Sequence, residues 1–211
     1  MNRLELKTAA KSQIKGKIGL LFIIALIISL ISGVAGAVLS LIPGGGLVAT
    51  IIITPAFSLS LVRVYLNVCA GKTPDVKDAF CGFDDFWSAF KVTFLVGLFT
   101  FLWSLLFIIP GIVKGYSYSM ALNVLAENKG KPALECINES KTMTYGKKMD
   151  LFVLNLSFIG WGFVVALTFG IAAIWVVPYM QATMINAYNS IKPVKEEIPE
   201  PEIEAPYVKP E

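Results

Sequence analysis

The feature that most constrains this chain is a set of long stretches without one charged side chain, at residues 18–42, 92–113 and 151–191. A soluble core interrupts its apolar residues with polar ones at helical or strand spacing. A bilayer core about 30 Å thick asks instead for about 20 mostly apolar helical residues. Hydrophobic residues make up 55% of the chain and charged residues 16%, against roughly 45–50% and 25% for an ordinary soluble domain. The sequence therefore predicts an all-α, polytopic membrane helix bundle. Histidine is absent, which removes Ser-His-Asp and Cys-His catalysis, imidazole metal sites and a histidine pH switch.

Length then sets the spans. Residues 18–42 suffice for one crossing and 151–191 for two, with a turn at Phe169-Gly170. The run 47–70 forms a further span after a reversal at Pro43-Gly44-Gly45-Gly46, and 92–110 and 111–127 flank Pro110-Gly111. The expectation is six transmembrane helices at about 18–42, 47–70, 92–110, 111–127, 151–169 and 171–191, arranged as three antiparallel hairpins in a single domain, 1–191. Basic residues favour this count by the positive-inside rule. With the N-terminus inside, the cytoplasmic face holds five in residues 1–17, four in 63–91, five in 129–148 and three in 192–211, which is 17 of 18 and leaves only Lys114 outside. Removing the span at 111–127 would make the tally nine against nine. Both termini are thus expected in the cytoplasm, and residues 192–211, rich in proline and glutamate, read as a disordered tail.

Three parts of the cytoplasmic side carry a pattern. Arg3, Lys7, Lys11 and Lys15 recur every four residues on a helix expected to run into the first span. This basic stripe either sets topology or contacts anionic lipid head groups, at about 1 kcal/mol per residue near the surface. Phe80, Phe83, Trp87, Phe90 and Phe94 share one helical face, with Asp84 and Asp85 opposite. They predict an interfacial helix over 80–91 that faces lipid, or a helix that docks a partner. The adjacent Ser140 and Lys141 diverge by about 100° around a helix and so cannot act together as a nucleophile and its base. Cys69, Cys81 and Cys136 lack CxxC spacing and read as reduced thiols.

Inside the spans the polar residues are uncharged. No Asp or Glu lies in their membrane core, so the carboxylate relay of an ion-coupled carrier is missing. Asn123, Asn155, Gln181 and Asn186 either join helices by hydrogen bonds or line a polar cavity. Arg63 and Lys114 sit near span ends, where they are expected to snorkel.

The run Leu102-Trp103-Ser104-Leu105-Leu106-Phe107-Ile108-Ile109-Pro110-Gly111-Ile112, followed by Tyr116-Ser117-Tyr118-Ser119-Met120, resembles the central signature of the membrane family called domain of unknown function 975. Three further blocks agree: Glu139-Ser140-Lys141 with Met143, Gly146 and Lys147; Leu156-Ser157-Phe158-Ile159-Gly160-Trp161; and Pro178-Tyr179 leading to Tyr188. The resemblance implies a Gram-positive bacterial setting, hence the cytoplasmic membrane, and no chemistry. A looser similarity to the membrane domain that accompanies some glycerophosphodiester phosphodiesterases implies lipid-related work without any active-site residue.

These readings point to a non-enzymatic membrane scaffold or modulator of envelope components. The alternative is a small permease, channel or lipid-handling protein. The expected partners are the bilayer with its anionic lipids and other membrane proteins; no nucleic acid, metal or cofactor is expected.

Overall fold

A computed structural model of the chain describes residues 2–42 and 45–193, so the reversal expected at Pro43-Gly44 and the tail from residue 194 lie outside the described residues. Among the described residues the fold is entirely helical.

Helix α1 (Arg3–Ile14) starts at Asn2, whose side-chain oxygen accepts the Leu4 N–H at 3.2 Å, and it carries Glu5 in its first turn, where the helix dipole favours an acid. It does not run on into the first span. Gly16 takes φ +79°, a left-handed conformation that stops α1 and redirects the chain into α2 (Ile18–Leu39). Lys17 Nζ then donates to the carbonyls of Gly71 and Lys72 at 3.2 and 2.8 Å, which holds the start of α2 beside the end of α3 (Gly45–Cys69).

The aromatic stretch differs from the expected interfacial helix over 80–91. Two short 3-10 turns, Val76–Phe80 and Phe83–Asp85, precede α4 (Phe86–Leu106). Three local interactions override helical periodicity here. Asp75 and Asp78 form a reciprocal capping box. Phe80 and Phe83 pack on the buried ring of Phe57, with centroids 6.3 and 5.2 Å away. Gly82 presses against α3, where its N–H donates to Ser60 Oγ at 2.8 Å and a Cβ would collide with the Ala56 carbonyl. The snorkelling expected of Arg63 is also corrected. Arg63 is 8% exposed, and its guanidinium pairs with Asp85 and donates to the Cys81 carbonyl, so Asp85 does not simply face water.

Phe107, in extended conformation at φ −158° and ψ 143°, separates α4 from α5 (Ile108–Tyr118). The break therefore precedes Pro110-Gly111, and Pro110 occupies the first turn of α5, where its missing N–H leaves no bond unmade. Helix α5 folds back along α4 with Gly111 against Ser104, and Lys114 Nζ lies 4.4 Å from the Trp103 ring centroid rather than reaching for solvent.

Four further helices, α6 (Ala121–Glu127), α7 (Ala133–Met143), α8 (Lys148–Leu156) and α9 (Ile159–Leu167), lead to the turn at Phe169 (φ 49°) and Gly170 (φ 90°), where the sequence places it. The last helix is α10 (Ala173–Ile191). Helices α3, α6 and α10 supply much of the interior, including Leu59, Val64, Val68, Val124, Leu125, Ile185 and Tyr188. Helices α2, α4 and α9 turn Leu26, Leu30, Phe101, Leu105, Phe163 and Leu167 outward. An apolar exterior of this kind suits lipid rather than water.

Four stretches among the described residues are long and apolar enough to cross a membrane: Ile18–Leu39, Ile51–Cys69, Val76–Leu106 and Lys148–Leu167. The sequence predicts six. The other two predicted spans fall on α5 with α6, which are 11 and 7 residues long, and on α10, whose apolar character is diluted by Gln181, Thr183, Asn186 and Asn189.

Candidate functional site

The basic stripe of α1 meets aromatic side chains contributed by α9, α10 and the bend before α9. Lys7 Nζ stands 4.5 Å from the centroid of Phe158, and Lys11 Nζ 5.6 Å from that of Tyr179. Tyr179 in turn makes edge-on contacts with Phe158 and Trp161, at 5.4 and 6.2 Å. Beside them opens a groove of about 230 Å³ lined by Lys11, Ile14, Lys15, Ile18, Trp161, Trp175, Val176 and Tyr179. Its walls are apolar and aromatic while its rim holds two ammonium groups. Burial, and secondly the charge of Lys11, pushes the Lys7 ammonium below the usual lysine range. An anion placed at this rim relieves the repulsion between Lys7 and Lys11, the condition under which a phosphate head group is attractive. Arg3 lies exposed one turn before Lys7.

The four amides named from sequence are placed separately. Asn186, 8% exposed, donates to the Leu6 carbonyl at 3.3 Å and to Gln13 Oε1 at 2.8 Å, and so fastens α1 to α10. Asn155 donates to the Tyr116 hydroxyl at 3.4 Å, joining α8 to α5. Asn123 is buried in α6, whereas Gln181 is exposed on α10. Asn155 also lines a groove of about 300 Å³ with Thr100, Ser104, Gly111, Gly115, Tyr116 and Ser119. The Thr100 hydroxyl is buried there without a partner among the described residues.

Sequence reasoning missed the role of Ser140. Helices α5 and α6 break at Ser119-Met120, which frees backbone groups that a continuous helix would pair. Ser140 Oγ accepts the Met120 N–H at 3.2 Å and donates to the Ser117 carbonyl at 2.9 Å, while Thr144 Oγ1 donates to the same carbonyl at 3.3 Å. Two of the sequence blocks that carry the resemblance thus meet in one staple. The sequence carries no local signal that these two blocks touch.

Burial pushes the Cys136 thiol up to about 11, against the pull of Lys131, which marks an inert structural cysteine. Among the described residues no cluster of His, Cys, Asp or Glu is placed to hold a metal ion.

No curated protein and no solved structure matches the chain. A family match covers residues 1–114 and 107–195, taking in the α1 groove, the Ser140 staple and every signature block. The chain belongs to the family described as protein of unknown function (DUF975).

Proposed function

We propose that this chain is a non-enzymatic membrane scaffold that holds anionic lipid at the basic face of α1. The observation that carries the reading is the groove in which Lys11 and Lys15 stand over Trp161, Trp175 and Tyr179. The rings give an apolar wall along which an acyl chain can lie, and the lysines, with their stems on that wall, offer ammonium groups to the lipid's phosphate. In this reading the chain crosses the bacterial cytoplasmic membrane six times as three hairpins. The broken pair α5–α6 and the polar α10 complete the count, because neighbouring helices bury Ser117, Asn123, Thr183 and Asn186. Both termini then lie in the cytoplasm, as the distribution of 17 of 18 basic residues supports.

Native mass spectrometry of the chain extracted into mild detergent tests the lipid site. Phosphatidylglycerol should be retained in preference to phosphatidylcholine, and the double substitution Lys11→Ala/Lys15→Ala should weaken retention by about 1 kcal/mol per lysine. Equal retention of the two lipids by the unaltered chain would reject the proposal.

A second reading, lipid handling or permeation, draws on the groove that holds the unpartnered Thr100 hydroxyl and Asn155. If it is correct, Asn155→Leu abolishes binding or flux without changing the melting temperature. If Asn155 only joins α8 to α5, the substitution shifts stability by about 0.6 kcal/mol and alters nothing else.

A further inference from the structure

A separate cavity of about 540 Å³ lies where the C-terminal ends of α3, α6 and α10 converge beside the first 3-10 turn, and it shares no lining residue with the α1 groove. Its volume falls within the roughly 300–1,000 Å³ of small-molecule sites. The lining is polar and of mixed charge. Arg63 is more than nine-tenths buried, and its Nε–H has no partner among the described residues although the guanidinium already serves Asp85 and the Cys81 carbonyl. Lys129 stands exposed at the rim and Lys192 half-buried beside it, with Asn67 and Asn189 on the walls. Against these cations stand Asp78, which accepts the Asp75 N–H at 2.9 Å, and Glu127, which accepts from the Tyr188 hydroxyl at 2.9 Å and from Lys192 at 2.6 Å.

The charge pattern selects the ligand class. Asp78 and Glu127 favour a cation, and the C-terminal ends of α6 and α10 add to that field, whereas the carbonyls at the end of α3 are already held by Lys17 and Gln13. Arg63 and Lys129 favour an anionic oxygen group, for which a guanidinium with an unused N–H is a strong donor. A purely anionic ligand would meet the carboxylates and helix ends, and a purely cationic one would meet Arg63 and Lys129. A ligand carrying both charges satisfies both sets. We propose that this cavity binds a zwitterionic group in which an ammonium and a phosphate are a few bonds apart, with Arg63 and Lys129 toward the phosphate and Glu127 and Asp78 toward the ammonium. Such a group has two sources, a soluble phosphoamine and a phospholipid head group.

The cavity contains its own reporters, because Cys69 and Cys81 line it whereas Cys136 is fully buried in α7. The test follows alkylation of each thiol by N-ethylmaleimide in the full chain by mass spectrometry. One arm adds phosphoethanolamine, ethanolamine or glycerol 3-phosphate to protein in detergent. The other compares nanodiscs of phosphatidylethanolamine with nanodiscs of phosphatidylglycerol. Phosphoethanolamine at about ten times its dissociation constant should slow Cys69 and Cys81 about tenfold, leave Cys136 unchanged, and outperform both single-charge probes. Protection only in the phosphatidylethanolamine nanodisc assigns the lipid as the source and still supports the site. Lys129→Gln, which touches neither buried ion pair, should erase the preference for phosphoethanolamine over ethanolamine. Absence of protection in both arms, or equal protection by all three soluble probes, overturns the proposal. Because neither arm depends on phosphatidylglycerol retention at α1, this result and that of the scaffold reading are separable.

Discussion

Two side chains and one missing side chain hold the region around residue 82 together. Gly82 has an ordinary backbone conformation at φ −77°, so its requirement comes from space alone: the Ala56 carbonyl and Ser60 occupy the place of a Cβ. Gly82→Ala should destabilise the fold by about 1–3 kcal/mol. Gly36→Ala, at a helical glycine where a Cβ meets nothing within 4 Å, should be neutral or slightly stabilising. Thermal melting in one detergent compares the two. Arg63 and Asp85 make the complementary case. Arg63→Leu leaves a carboxylate without its buried partner and should cost about 3–5 kcal/mol, whereas Arg63→Leu/Asp85→Leu should recover most of the loss. The same melting series reads both, and a double variant no better than the single would show that the guanidinium matters for packing rather than charge.

The elements divide by what the sequence can encode locally. The uncharged runs place α2, α4 and α10 to within a few residues or, at the start of α4, one to two turns, and Phe169-Gly170 turns where glycine and a helix end predict. The 3-10 turns were not legible, because aromatics at spacings of three and four describe a helical face equally well whether or not Phe57 waits on α3 to receive two of them. Arg63 was misjudged for the same reason: its partner, Asp85, lies 22 residues away. The basic stripe was legible as residues, but its aromatic counterpart was not, since Phe158, Trp161 and Tyr179 come from the other end of the chain. Nor was the break between α5 and α6, which no proline or glycine marks and which a serine from α7 stabilises. Ser140→Ala should orphan the Met120 N–H and cost about 1–3 kcal/mol. Hydrogen exchange should show faster exchange at Met120 in that variant, and unchanged exchange there would remove Ser140 from this role.

At the scale of the molecule, the described helices bring the lysine-bearing ends together. Lys17 binds the end of α3, Lys192 binds Glu127 at the end of α6, and Lys131 pairs with Glu139 beside them. This convergence agrees with a single polar face, and the six-crossing topology proposed above yields a direct expectation. Reporter fusions after residue 193 and in the turn at Phe169-Gly170 should show opposite sidedness, with the former cytoplasmic. An external signal from the fusion after residue 193 would make the number of crossings odd, and the fusion at Phe169-Gly170 would then tell whether α10 fails to cross (turn external) or the α5–α6 pair does (turn cytoplasmic).

The packing of α5 on α4 also bears on biogenesis. With 11 residues, α5 is about 16 Å long, roughly half the hydrocarbon thickness, and it carries the charge of Lys114. Such a segment would not partition from a translocon by itself. Helix α4, with 21 residues, can enter first and offer Ser104 and the Trp103 ring as the surface that receives Gly111 and Lys114. In the six-crossing reading, α5 then enters the bilayer as the passenger of the helix made before it.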